Sequence, residues 1–335
     1  MHVPDHFLND PTSATTAVLA VAGVVSATVA AQRDARTGRT RATPVTLAAT
    51  TALVFGSQML NYPVASGTSG HLLGGALAAA LLGPAWGVLS VSTVLLIQCL
   101  IFADGGPSAL GTNVFLMALV GTLVGWWVQH GVARALTARG RPGSARVAAI
   151  ATASAAGAFV SVVAAALVFT LLFVFGGTVA VSVGALASQM LGVHALIGLG
   201  EAVITAALVA VIALVAPGWC AADSRPAVAG LTAAALRRRA AGALGATAAI
   251  AVGLLAPVAS GLPDGLEATA VSVGFAGAAR DHAMAEFPLA GYGAGAGLSI
   301  QVVGLIGLAV CAGLAFGVGR VVAIGRVAPP ATVGV

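Results

Sequence analysis

Apolar and polar stretches alternate along this chain in the manner of a membrane protein. Long apolar runs are separated by short segments rich in arginine, glycine and proline. A bilayer core needs about 20 consecutive apolar residues in helical form, and several runs meet that length. The pattern predicts an all-α bundle of about nine transmembrane helices. We expect them at 12–31, Pro44–Leu60, His71–Leu82, Trp86–Ala103, Gly111–Gly131, 147–176, Leu191–Ala216, Ala241–Val258 and Gly297–Gly319.

The third predicted span, His71–Leu82, is too short and too rich in glycine for an ordinary transmembrane helix. Such segments often border a binding site, because exposed backbone is tolerated in a membrane only beside a cavity or other protein. The alternative is a re-entrant or tightly packed helix whose small residues make close contacts. The sequence leaves both interpretations open.

Composition and charge agree with this class. Apolar residues make up 59% of the 335 residues, charged residues only 7%, and mean hydropathy is +1.02. Fourteen of the fifteen arginines fall in the segments 32–43, 132–146, 217–240 and 320–335, and seven of the ten acidic residues fall on the other side. Basic loops stay in the cytoplasm. We therefore expect a multi-pass plasma-membrane protein with its N-terminus outside and its C-terminus cytoplasmic.

Several functions are excluded or disfavoured. The chain contains no lysine, so it lacks the phosphate-binding P-loop of an ATPase. The scattered arginines do not form a face for nucleic acid, and no nucleic-acid partner is expected. The cysteines, Cys99, Cys220 and Cys311, are isolated and form no zinc or redox motif. The acidic start of the chain is also unlike a secretory signal peptide.

The first two residues, Met1-His2, carry the candidate chemistry. Histidine at position 2 lets a free amino terminus chelate a metal through the amine, the backbone nitrogen of His2 and imidazole Nδ1. We expect Met1 to be retained, because His2 is too large for methionine removal. Such a nearly planar nitrogen set favours Ni²⁺ or Cu²⁺. His71 is the candidate fourth donor, and the predicted topology places it on the same external side.

Longer motifs resemble a known family. They are Met1-His2-Val3-Pro4-Asp5, NYPVASGTSGHLLGGALAAALLGPAWG at 61–87, LLIQCLIFADGGPSALGTNVFLMALVG at 95–121 and HALIGLGEAVIT at 194–205. Together they resemble the CbiM/NikM proteins, the substrate-capture subunits of energy-coupling-factor (ECF) transporters for cobalt and nickel. The segment Pro263-Asp264-Gly265-Leu266-Glu267 resembles the CbiN/NikN component, also called the PDGLE domain. The resemblance implies a metal-binding domain at 1–216, a cytoplasmic linker at 217–240 and a PDGLE domain with two spans at 241–335.

The resemblance also implies a site and partners. The metal ligands would be the Met1 amine, the His2 amide and imidazole, and the His71 imidazole, with the N-terminus inserted into the bundle. Asp104, Asn113 and Glu201 lie in family-typical motifs and are expected to shape the pocket without being ligands. The implied partners are a CbiQ/NikQ-type transmembrane subunit and a CbiO/NikO-type ATPase. No cofactor is expected, since nickel or cobalt is the cargo.

His6, the acidic loop and the choice of metal leave questions open. The family usually has glycine after Pro-Asp, whereas this chain has His6, which could alter the inward turn or add a donor. The loop carrying Asp264 and Glu267 is acidic and predicted to be external, which makes it a candidate metal-loading device. Four nitrogens in a plane favour Ni²⁺, while Co²⁺ usually takes more ligands, so the choice of metal stays open.

Two rival functions remain on the sequence alone. A self-sufficient secondary transporter or channel for a divalent cation would also use short glycine-rich spans, but it would not need a free amino terminus. A membrane-embedded enzyme could use His194 and Glu201, which are two helical turns apart on one face. No nucleophile or metalloprotease spacing accompanies that pair, so we do not expect an enzyme.

Overall fold

The computed structural model describes residues 1–65, 67–137, 143–223 and 232–324. Arg139, Arg141, Arg225 and Arg326, part of the predicted linker and the end of the chain lie outside these ranges. The predicted orientation of the termini is not tested and stays a prediction.

Helices dominate the described residues. In chain order they are α1 (Asp10–Arg36), α2 (Pro44–Gln58), α3 (Gly75–Leu82), α4 (Pro84–Phe102), α5 (Leu110–Asn113), α6 (Gly121–Thr137), α7 (Gly143–Gly176), α8 (Val183–Val215), α9 (Ala233–Ile250), α10 (Gly265–Val273) and α11 (Ile300–Val322). A π-helical turn (Val114–Val120) joins α5 to α6, so that α5–α6 is one continuous helix. Likewise, α9 continues through a π turn (Ala251–Leu255) and a 3₁₀ turn (Ala256–Val258). A short antiparallel hairpin, β1 (Tyr62–Ala65) and β2 (Thr68–Gly70), precedes His71.

Seven of the described helices are long and apolar enough to cross a membrane. They are Asp10–Arg36, Pro84–Phe102, Leu110–Leu136, Gly143–Gly176, Val183–Val215, Ala233–Val258 and Ile300–Val322. Large apolar side chains on several of them face outward, as a lipid contact requires; examples are Val21, Phe175, Val203 and Val321. The chain is therefore a mostly helical, multi-pass membrane protein.

The predicted second and third spans are shorter helices buried inside the bundle. Helix α2 has 15 residues and α3 has 8. A predicted count of nine transmembrane helices is thus not confirmed. Helix α3 packs closely on α6, since a Cβ at Gly75 would lie 2.7 Å from the backbone of Gly121. Gly74 and Gly83, at φ values of 78° and 87°, bound α3 because that backbone conformation favours glycine.

Local capping explains where some helices begin. Ser182 accepts a hydrogen bond from the Ala185 N–H and starts α8 at Val183, ahead of the predicted Leu191. Helix α9 begins at Ala233, within the segment predicted as a linker. Asp264 and Glu267 form a capping box that starts α10 inside the predicted external loop.

The C-terminal region (residues 232–324) packs against the rest of the bundle. Helices α9 and α11 both lie on α2, and α11 also contacts α4. Helix α10 contacts α8 and β2, the strand that leads to His71. This arrangement places the PDGLE-like segment beside the start of the chain.

Candidate metal centre

The N-terminal segment folds into the bundle instead of extending from it. Met1 and Val3 are 2% and 0% exposed. The side chain of Asn113 holds Val3 at both backbone groups: Val3 N–H donates to Asn113 Oδ1 over 2.7 Å, and Asn113 Nδ2 donates to the Val3 carbonyl over 3.1 Å. Gly106 N–H donates to the same carbonyl over 3.0 Å. Asn113 therefore fixes the first residues from the end of α5.

The inward turn is completed by Asp5 and His6. Asp5 Oδ1 accepts hydrogen bonds from the backbone N–H (2.8 Å) and the hydroxyl (2.6 Å) of Ser108. His6 has a φ of 73°, a left-handed conformation that favours glycine. Its carbonyl accepts a hydrogen bond from the Thr178 hydroxyl over 2.6 Å. The turn forms despite the histidine, and the His6 side chain is not among those that line the cavity described below.

Replacing His6 with glycine is expected to stabilise the protein by about 0.5–1 kcal/mol, because glycine removes the steric cost of a side chain at positive φ. Thermal unfolding of the detergent-solubilised protein would measure the change. His6→Ala is the matched control, since it keeps the Cβ and should bring no gain. Equal stabilisation by both variants would contradict the backbone explanation.

The Met1 amine lies against His71. The terminal nitrogen is 2.7 Å from His71 Nε2. His71 Nδ1 lies 2.9 Å from the Leu72 carbonyl, which can only accept, so Nδ1 carries the ring proton and Nε2 presents its lone pair to the amine. The His2 ring stacks on the His71 ring, with centroids 5.1 Å apart. The structure therefore brings the three sequence-predicted residues Met1, His2 and His71 together.

Glu201 holds the loop that carries His71. Its carboxylate is fully buried and accepts hydrogen bonds from the backbone N–H of Leu73 (2.7 Å) and of Gly74 (3.0 Å). Gln58 Nε2 donates to the Leu73 carbonyl over 2.8 Å. Because an unpaired buried backbone group is costly, these hydrogen bonds fix the loop between β2 and α3.

His194, the other polar residue of α8 singled out in the sequence, has different contacts. It is buried, and its Nδ1 lies 2.8 Å from the Met190 carbonyl in the preceding helical turn. Within the part of the chain that the structure describes, no hydrogen bond connects it to Glu201. The pair therefore does not form the acid–base arrangement that an enzyme would use.

The His2 imidazole lies in a polar network. Nδ1 is 3.1 Å from Asp104 Oδ1, and Nε2 is 3.2 Å from Gln98 Oε1. The Tyr292 hydroxyl donates to Asp104 Oδ2 over 2.8 Å and accepts from Gln98 Nε2 over 3.3 Å. Burial lowers the pKa of His2 to about 4, although the nearby Asp104 acts in the opposite direction. Burial thus favours the neutral ring, which is the form that binds metals.

Asp264 reaches the same place from the C-terminal region. Its Oδ2 atom lies 2.6 Å from the Met1 amine and 3.5 Å from His71 Nε2. Burial alone would raise the pKa of this carboxyl, but the positive amino terminus outweighs it and holds the pKa well below its usual range. The carboxyl is therefore ionised and forms an ion pair with the terminal ammonium.

A cavity of about 400 Å³ opens beside these groups. Polar side chains from the N-terminal part of the chain and from the C-terminal region line it. They include His2, His71, Gln58, Asn61, Asp104, Asp264, Glu267 and Tyr292. Among the described residues, histidine and acidic side chains alone do not form a ready-made metal cage. The Met1 amine and the two histidine rings are the nitrogen groups that lie together beside this cavity.

Sequence reasoning did not single out Gln98, Tyr292 or Gln58. Gln98 and Gln58 did leave a signal, because each is an amide side chain within an apolar run, and polar groups at membrane depth are usually functional. Tyr292 left none, since it lies in a long loop whose position against α4 depends on tertiary packing.

Comparison with known proteins decides the family. The model of the CbiM family, described as "cobalt uptake substrate-specific transmembrane region", matches residues 2–219. The chain belongs to the CbiM family. One relative is a Haloquadratum walsbyi protein provisionally named a metal transport protein. It is 38% identical over 219 residues, which cover 65% of this chain and 92% of the relative. A provisionally named fused nickel transport protein, NikMN, of Archaeoglobus fulgidus is 36% identical over 65% of this chain and 67% of its own length.

A solved structure agrees with this assignment. The crystal structure of a transition metal transporter is similar to the CbiM-family chain with a TM-score of 0.51 and 27% identity, covering 64% of this chain and 93% of the other. The relatives are transport proteins and not enzymes. The enzyme alternative built on His194 and Glu201 is thereby excluded.

Proposed function

We propose that this CbiM-family protein captures Ni²⁺ or Co²⁺ outside the cell through its own amino terminus, as the metal-binding subunit of an ATP-driven ECF importer. The observation that carries the proposal is the 2.7 Å approach of the Met1 amine to His71 Nε2, with His2 stacked beside them. A first-row transition-metal ion binds nitrogen donors at about 2.0–2.1 Å. Two such donors at right angles around one ion lie about 2.9 Å apart. The observed spacing supports that geometry.

The chelate would be completed by His2. Once the terminal ammonium and the His2 amide have each released a proton to solvent, the amine, the amide nitrogen and imidazole Nδ1 would close two rings around the ion. A metal on Nδ1 places the ring proton on Nε2. Gln98 Oε1 lies 3.2 Å from Nε2 and can accept a hydrogen bond from this N–H group. Asp104, now 3.1 Å from Nδ1, would give up that contact to the metal. The resulting set of four nitrogens suits Ni²⁺ and Cu²⁺, and availability must help to exclude copper.

The cavity supplies a route for the ion. Asp104, Asp264 and Glu267 line it, and their charges attract a divalent cation to the chelating nitrogens.

Residues 241–335 act in this proposal as a fused PDGLE domain, joined to the metal-binding domain (1–216) by a cytoplasmic linker (217–240). Release inside would require a CbiQ/NikQ-type membrane subunit and a CbiO/NikO-type ATPase, because the chain itself lacks a P-loop lysine. Nickel accumulation in cells without the ATPase would instead favour the secondary transporter.

Binding of Ni²⁺ and Co²⁺ to the purified full chain tests the proposal. We expect one equivalent of metal, and His71→Ala should lower the affinity by about 10–100-fold because it removes one of four donors. Competition with a chromogenic chelator would measure the dissociation constants. The control is His282→Ala: this half-buried histidine lies 3.9 Å from Cys99 Sγ and is not among the residues that line the cavity. Undiminished binding by His71→Ala would contradict the chelate.

A further inference from the structure

The two oxygen atoms of Asp264 have different environments. Oδ1 accepts hydrogen bonds from the backbone N–H of Leu266 (2.8 Å) and of Glu267 (2.9 Å), which cap α10. Oδ2 points away from the helix, 2.6 Å from the Met1 amine and 3.5 Å from His71 Nε2. The helix cap thus fixes the carboxylate by one oxygen and leaves the other directed at two of the proposed nitrogen donors.

The backbone around Asp264 is anchored to the strand that leads to His71. Ser69 N–H donates to the Pro263 carbonyl over 2.9 Å, and its hydroxyl donates to the Leu262 carbonyl over 2.7 Å. Glu267 Oε2 accepts from the Asp264 N–H over 2.9 Å and closes the capping box. The position of Oδ2 relative to His71 is therefore set by short local contacts.

An ion placed between the Met1 amine and His71 Nε2 would also be within bonding reach of Oδ2. Ligands about 2.0–2.2 Å from one ion and at right angles lie roughly 3 Å apart. The distances from Oδ2 to the two nitrogens, 2.6 and 3.5 Å, lie on either side of that value. The carboxylate oxygen is thus close enough to reach an ion held by these two nitrogens.

We propose that Asp264 supplies a fifth, oxygen ligand to the transported metal, so that the C-terminal region completes the site and sets its metal preference. This inference rests on the proposed N-terminal chelate. Strict square-planar coordination favours Ni²⁺ and Cu²⁺, whereas an added carboxylate oxygen gives Co²⁺ the higher coordination number that it accepts readily. The preference for cobalt relative to nickel therefore depends on Asp264.

Asp264→Asn and Asp264→Ser in the full chain test this assignment. Both residues cap helices well, so α10 should be retained, and serine removes the second oxygen altogether. We expect Asp264→Ser to lose at least about 10-fold more affinity for Co²⁺ than for Ni²⁺, and Asp264→Asn to lie between it and the wild type. X-ray absorption spectra should show the metal losing one oxygen neighbour in Asp264→Ser.

The control is Asp281→Asn, which removes one negative charge from an exposed residue of the same region that does not line the cavity. It should leave the cobalt-to-nickel ratio and the number of neighbours unchanged. If Asp264→Ser keeps both quantities, or binds both metals more tightly, the ligand assignment is overturned and Asp264 is only a counter-ion of the ammonium. Binding that survives His71→Ala would instead mean that the proposed chelate itself fails.

Discussion

Adding one residue ahead of Met1 is expected to weaken Ni²⁺ and Co²⁺ binding by on the order of 10³-fold, or about 4 kcal/mol. The extension turns the terminal amine into an amide and moves it from the position 2.7 Å from His71 Nε2. It also breaks the chelate rings that depend on that amine. Met1 is only 2% exposed, so an added residue must enter the neighbouring cavity or displace the segment. Equilibrium competition with a chelator would measure the loss.

An N-terminal extension that can be removed by cleavage provides the control. A cleavable fusion whose removal leaves Met1 as the first residue should bind weakly before cleavage and normally afterwards, with the intact mass confirming the new terminus. The result separates the loss of the amine from general damage during purification. Equal affinity before and after cleavage would exclude the amine as a ligand.

Some of the fold could be predicted from the sequence because hydrophobic length is a local property. The apolar runs predicted the seven long helices, including Trp86–Ala103, which the structure has as Pro84–Phe102. The same criterion was less informative for Pro44–Leu60 and His71–Leu82, which form helices of 15 and 8 residues. Their near-complete burial comes from neighbouring helices, and the apolar pattern of one segment cannot distinguish lipid from protein as its surroundings.

The candidate site could be predicted in part, because its central residues stand in unusual positions. His2 follows the first residue, and His71 follows a glycine-rich loop. The role of Glu201 could not be predicted, since spacing along α8 does not show that the carboxylate meets the Leu73 and Gly74 backbone. Similarly, the acidity of the PDGLE-like loop pointed to the site, but the contact of Asp264 with the amine depends on how the C-terminal region packs.

The second large effect concerns Glu201. Replacing it with alanine leaves the buried N–H groups of Leu73 and Gly74 without their acceptors, and each unpaired group costs about 1–3 kcal/mol. We expect the variant to be destabilised by about 4 kcal/mol in total and to lose most of its metal binding. Thermal unfolding and metal affinity, measured on the same preparation, would report both losses.

Glu201→Gln keeps the side-chain volume and changes the hydrogen bonds, so it separates these two contributions to the effect of Glu201→Ala. The glutamine carbonyl oxygen can accept from only one side, while its NH₂ group would face the second backbone donor, so Glu201→Gln should also weaken binding. Thr205→Val is the matched control, because this buried hydroxyl one turn further along α8 has no hydrogen-bond partner among the described residues. Valine there should leave stability and affinity nearly unchanged. If Glu201→Gln behaves like Thr205→Val, the His71 loop does not depend on the carboxylate, and its position must come from the packing of α3 against α6.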